Sequence, residues 1–354
     1  MPKRMRPNHS KAGGLGRVSA LPTSAWVLFL TAVLIVLSLF CAGLGQYSLT
    51  IAESWEILFG KLVAAEPTWK PMAESVVLYL RIPRIIAAGI VGAALALSGS
   101  VYQGIFRNPL VSPDLLGVSS GACVGAALAI LFGLSAEWTQ IMAFAAGLMA
   151  VGLTLSIPKM LGSTSNIMLV LSGVIVSGLM SSFMGLIKYV ADPQSQLQAI
   201  TFWQMGSFAS VKYDELLSVL IPMGIGFVVL FLISWWVDVL AMGETEAKLL
   251  GANAKPIRNI AIVCSSVLTA SAVCLCGTIS WIGLVIPHFA RMLVGPNNTK
   301  LMPVASLLGA IFMIAVDTCA RNISGQELPI SILTSLIGAP FYILLMRRQK
   351  GELQ

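Results

Sequence analysis

Charge is the scarcest property of this sequence: 10% of its residues are Asp, Glu, Lys or Arg, and 57% are apolar. A soluble domain carries about a quarter charged residues. A chain this poor in charge cannot clothe a water-exposed surface, so lipid must solvate most of it. Histidine is nearly missing, His9 and His288 being the only two, and no H-E-x-x-H motif exists. There is no G-x-x-x-x-G-K-[ST], so the chain has no nucleotide-phosphate loop of its own. Cys41, Cys123, Cys264, Cys274, Cys276 and Cys319 all fall in or beside apolar runs. Cys274 and Cys276 form C-x-C, but the second pair or nearby histidine of a zinc site is missing. They read as packed thiols. No cofactor and no metal centre are expected.

What is present is a series of apolar runs long enough to cross a bilayer, which takes about 20 residues. Ten are read, at 25–43, 83–106, 112–132, 138–158, 166–190, 214–237, 260–279, 283–295, 301–320 and 329–346. The eighth is short and holds Pro287. None alternates apolar with polar residues as an outer-membrane barrel strand does. The expected fold is all-α, a single polytopic domain over 25–348 behind a basic tail, 1–24. With the N-terminus inside, the inner side carries 15 of the 22 Lys and Arg and the outer side 7. That bias places both termini in the cytoplasm. The net charge of +7 then reflects topology, and no nucleic-acid partner is expected.

Glycines at 117, 121 and 125, and Gly89, Gly92, Ala93 and Ala96, form small-residue stripes that let helices approach closely in lipid. Gly117-Val-Ser119-Ser-Gly121 also matches the G-x-S-x-G of serine hydrolases. That motif needs a strand-to-helix elbow, whereas this segment reads as continuous helix, with His288 on another span as the one candidate base. Asp317 and Arg321 lie four apart on one helix face. An ion pair between them and an independent role for Arg321 are both open. Arg81-Ile-Pro83-Arg84 stands at the outer entrance of the second span, with Pro83 suited to a helix start. Its two guanidinium groups serve as interfacial anchors or as carboxylate docking points. No carboxylate or histidine chain runs through the spans, which disfavours a proton-coupled secondary transporter. On the inner side, Glu244 and Glu246 open a short helical segment, Lys248 follows and Gly251 closes it. Ala247, Leu249 and Leu250 give it an apolar side fit for a partner.

Three long stretches together resemble a known family. They are Arg81 through Gly121, Glu246-Ala-Lys-Leu-Leu-Gly251, and Gly277 through Arg291 with Glu327-Leu-Pro329 and Gly338-Ala-Pro340. This pattern is similar to FecCD-type permeases of ATP-binding-cassette importers for ferric siderophores, haem and cobalamin. The resemblance implies a type II importer permease of ten spans in the bacterial cytoplasmic membrane. It further implies a second permease subunit, identical or paralogous, two cytoplasmic ATPases and an extracytoplasmic substrate-binding protein. By the same resemblance, Arg81, Arg84 and Arg321 meet acidic residues of the binding protein. Residues 243–251 act as the coupling helix on the ATPase. The fifth span lines the pathway, Ser163-Thr164-Ser165 lie near the inner gate, and Phe202, Trp203 and Met205 lie near the outer mouth. A ferric siderophore is the expected cargo, with haem or cobalamin as alternatives. A secondary transporter or channel and an intramembrane serine protease are the competing classes.

Overall fold

The computed structural model describes residues 21–45, 47, 49–63, 69–162, 165–251, 253–323 and 327–352. Most of the basic tail, and Ser163 and Thr164 of the expected inner gate, lie outside the described residues.

No strand occurs among the described residues. The helices are α1 (Thr23–Gly43), α2 (Ile51–Leu62), α3 (Pro71–Ser75), α4 (Ile82–Phe106), α5 (Val118–Leu131), α6 (Ala136–Met160), α7 (Asn166–Val190), α8 (Gln196–Met205), α9 (Tyr213–Leu232), α10 (Ser234–Met242), α11 (Glu244–Leu249), α12 (Ala254–Cys276), α13 (Ile282–Val294), α14 (Asn298–Asn322) and α15 (Ile330–Glu352). Among the described residues seven helical runs have the length and hydropathy to cross a membrane, and three shorter apolar helices, Val118–Leu131, Ile282–Val294 and Ile330–Ile343, complete the ten.

Several boundaries differ from expectation. A π-helical turn, Val76–Arg81, joins α3 to α4 without a break, so Pro83 lies inside a helical run and does not open it. Widening the turn there lets the chain accommodate a residue without an N–H. The third span begins with a 3-10 turn, Pro113–Leu116, and Gly117 then takes φ 82° before α5 starts. The G-x-S-x-G segment is therefore not one continuous helix. Ser119 Oγ donates to Asp114 of that turn, which ties the two pieces together. The sixth span breaks at Ile233 into α9 and α10. The eighth is preceded by Trp281 at φ 74°.

Glycine sets the packing, because lipid supplies no hydrophobic drive between helices. A Cβ on Gly92 would collide with the Gly309 carbonyl of α14, and one on Gly99 with the Gly283 carbonyl of α13. A Cβ on Gly125 would strike the Met142 carbonyl of α6, and one on Gly121 would stand 2.6 Å from the Ala146 carbonyl. The expected stripe on α5 thus holds at Gly121 and Gly125, whereas Gly117 serves as the turn. Helix α4 is the centre of the molecule: 78% of its spanning window is buried, against 33% for α7. Tyr102 of α4 meets Ser266 Oγ of α12 at 2.8 Å, and Ser98 donates to the Ser265 carbonyl at 3.1 Å, so these two buried α4 hydroxyls are satisfied across the interface.

Cys41, Cys123, Cys274 and Cys276 are buried free thiols, while Cys319 is exposed. In the connection between α1 and α4, α2 carries a Thr50–Glu53 capping box, and the Thr50 N–H and hydroxyl hold the Glu53 carboxyl below its ordinary range.

Candidate functional site

At one end of the bundle the C-terminus of α1, the start of α4 and the end of α14 converge. The last carbonyls of α1 have no intrahelical donors. Arginine supplies them: Arg321 Nη2 donates to Cys41 O at 2.8 Å and Arg81 Nη1 to Ala42 O at 2.8 Å. Arg81 Nη2 also donates to Tyr47 O at 2.8 Å. Arg84 takes the carboxylates. Its Nε lies 3.0 Å from both Asp317 oxygens and its Nη2 2.9 Å from Oδ1. Its Nη1 lies 2.7 Å from Glu327 Oε1. The guanidinium that pairs with the Asp317 carboxylate is therefore that of Arg84, not of Arg321 one turn away on its own helix. A side chain of α4 can bind bidentately where the helical neighbour, already turned to α1, has no such geometry.

Arg81, Arg84 and Arg321 are thus brought together, but buried at 4%, 7% and 5% exposure. Within the cluster three guanidinium groups stand with two carboxylates, Asp317 and Glu327, which leaves the cluster itself net positive. Glu327 is the open member of the cluster, with its side chain 35% exposed. Sequence reasoning gave Glu327 no role, although it sits in Glu327-Leu-Pro329. The available signal was charge balance, since two arginines at a span entrance require carboxylates.

Glu327 also lines a cavity of about 660 Å³ with Phe202, Trp203, Gln140 and Cys274. Backbone bonds close its floor: Ile330 N–H to Gly206 O at 3.0 Å and Ser207 N–H to Cys276 O at 2.9 Å. The residues read as an outer mouth therefore adjoin the arginine cluster. Phe202 is exposed, whereas Trp203 and Met205 are half-buried.

At the opposite end, α4 finishes at Arg107, which takes φ 51°, beside the starts of α7, α12 and α14. Asp238 Oδ1 of α10 accepts from the Asn298 N–H and Nδ2 at 2.7 and 2.8 Å. Here α11 sits between Gly243, φ 141°, and Gly251, φ 76°. Ala247 is fully buried against Val239. Leu249 and Leu250 are 84% and 56% exposed. The three were expected on one apolar side; Leu249, two residues on from Ala247, points away from it because i and i+2 do not share a helix face, and Leu250 is the C-cap beyond the helix. Glu246 is exposed, and the side chain of Glu244 lies outside the described ones.

Between these ends α7 presents an exposed face carrying Val174, Gly178, Ser181, Ser182 and Gly185. Nothing lies within 4 Å of where a Cβ would stand on Gly178 or Gly185. Ser181 and Ser182 donate to the Ser177 and Gly178 carbonyls. Ser165 caps the helix, accepting from Ile167 N–H at 3.2 Å.

Among the described residues, no three His, Cys, Asp or Glu side chains gather as a metal site. Apolar helices long enough to span a membrane surround a buried central helix, and one of them, α7, is uncharged from Ile167 to Ile187, the architecture of a polytopic membrane protein. The comparisons make this specific. Residues 30–348 match the FecCD transport family, and the chain belongs to that family. It is 42% identical over 327 residues to the molybdate import system permease protein MolB of Haemophilus influenzae, covering 92% of this chain and 96% of that one. It is 43% identical over 276 residues to a probable iron chelatin transport system permease protein of Helicobacter pylori, covering 78% and 83%. A solved structure described as an inward-facing metal-chelate type ABC transporter superposes with a TM-score of 0.83 at 39% identity, covering 92% and 99%. The protein is accordingly an ABC importer permease subunit of the FecCD type, a transport component and not an enzyme.

Proposed function

We propose that this permease carries a bulky metal chelate, of the ferric siderophore class, inward across the bacterial cytoplasmic membrane. The observation that supports this cargo is the exposed face of α7. From Ile167 to Ile187 it holds no charged residue, and glycine opens it at 178 and 185. A chelate whose metal is already wrapped needs width, not ligands. Haem and cobalamin fit the same description.

The pathway forms between two copies or paralogues. A loaded binding protein docks over the arginine cluster, whose own net positive charge favours an acidic partner and where Glu327 is open to exchange. Leu249 and Leu250 of α11, with Glu246 beside them, seat on a cytoplasmic ATPase. Both termini lie in the cytoplasm, as the lysine and arginine bias supports. ATP in the partner shifts the permease between two packings of similar free energy. Ser165, with Ser163 and Thr164 before it in the sequence, belongs to the inner gate.

A second reading, import of molybdate, is favoured by identity to MolB along 92% of this chain. Uptake by proteoliposomes holding the full complex separates the two. Ferric hydroxamate enters and labelled molybdate does not, and Gly178→Trp, in open space, abolishes chelate entry while the variant stays folded. Molybdate uptake without chelate uptake would refute the proposal.

A further inference from the structure

Lys159 at the end of α6 and Lys255 and Arg258 at the start of α12 line one cavity of about 520 Å³, and no carboxylate lines it. Arg258 is fixed there: its Nη1 donates to Asn166 Oδ1 at 3.0 Å, and Asn166 Nδ2 donates to the Ile105 carbonyl at 3.3 Å. Both α7 and α12 begin at this cavity, so their N-terminal dipole ends add to its positive potential. Beside Ser165 and Asn259, one stretch of the wall is apolar, formed by Leu155, Pro158, Leu169 and Val263. Val263 is 47% exposed, as is its neighbour Ile260 at 46%, so the wall continues along the outside of a spanning helix. A charge bias between the two membrane faces accounts for how many cations lie on this side. It does not account for three from two helices converging on one cavity with an apolar flank.

We propose that this cavity binds the phosphate headgroup of an anionic phospholipid, with an acyl chain along the Leu155–Val263 wall. Basic pockets between helix ends take such headgroups by charge and hydrogen bonding. The bound lipid bridges α6, α7 and α12 at the end where the proposed pathway helix starts. Its assignment to the inner leaflet rests on the orientation proposed above; the binding does not.

Native mass spectrometry of the full complex, loaded with phosphatidylglycerol or phosphatidylcholine, tests this. The Lys159→Gln/Lys255→Gln variant changes two exposed side chains and leaves the Arg258–Asn166 bond in place. A surface cation contributes about a fivefold preference for anionic lipid. The pair should lower phosphatidylglycerol retention about thirtyfold and leave phosphatidylcholine retention unchanged. The outer-side control Lys70→Gln/Lys212→Gln should change neither. Equal phosphatidylglycerol retention by Lys159→Gln/Lys255→Gln and the parent overturns the proposal. Displacement of the lipid by equimolar inorganic phosphate also overturns it, and marks a free-anion site instead. Labelling of Met160→Cys, 84% exposed in the parent, from the external face would sink the orientation while leaving the retention result intact.

Discussion

Replacing Arg84 by methionine keeps the side-chain volume and removes the partner of a carboxylate that is 1% exposed. Arg84 donates four hydrogen bonds, all to carboxylates, and Arg81 two, both to carbonyls, so the loss at Arg84 is assignable. Asp317 loses its contacts at 2.9 and 3.0 Å, and Arg321 Nη2 is held by the Cys41 carbonyl at 2.8 Å. Removing one member of a buried pair typically costs about 3–5 kcal/mol. At about 2 °C per kcal/mol, melting of the purified subunit, followed by tryptophan fluorescence, should fall by about 5–10 °C. The double variant Arg84→Met/Asp317→Leu should recover most of this, because a pair replaced by apolar residues leaves no orphaned charge. If the cluster also docks a binding protein, the double variant melts like the parent yet binds that protein more weakly. A single Arg84→Met variant melting within about 2 °C of the parent would refute the structural argument.

Leu249→Glu/Leu250→Glu alters two exposed side chains and should leave melting unchanged while abolishing stimulation of the partner ATPase; normal stimulation would remove α11 from the coupling role. Gly125→Leu drives a side chain into the Met142 carbonyl, and Gly152→Leu meets nothing within 4 Å. Melting and size-exclusion profiles should therefore show Gly125→Leu destabilised by at least about 1–3 kcal/mol and Gly152→Leu like the parent.

The positions of the ten spans were legible because hydropathy over about 20 residues reports a requirement of the bilayer itself. Gly121 and Gly125 were legible as close contacts for a similar reason: few other residues permit them. Partner choice was not legible. Asp317 lies 233 residues from Arg84, and local spacing offered only Arg321. The break at Ile233 carries no proline or glycine, so no residue announced it. At α11 the apolar residues were visible, but their division between Val239 and the exterior depends on how the helix is seated. Pro83 misled because a proline that ordinarily opens a helix here follows a π turn.

Between Gly92 and Gly309 no side chain intervenes. Two helices that touch main chain to main chain cannot slide past one another without unseating each carbonyl from its niche, so α4 and α14 should keep their relative position through every stage of a pumping stroke. On the proposed mechanism displacement falls to the less buried perimeter helices, α7 among them. The subunit thus behaves as a stiff keel with one movable flank, and probes placed on the keel should stay at constant separation while those across the flank do not.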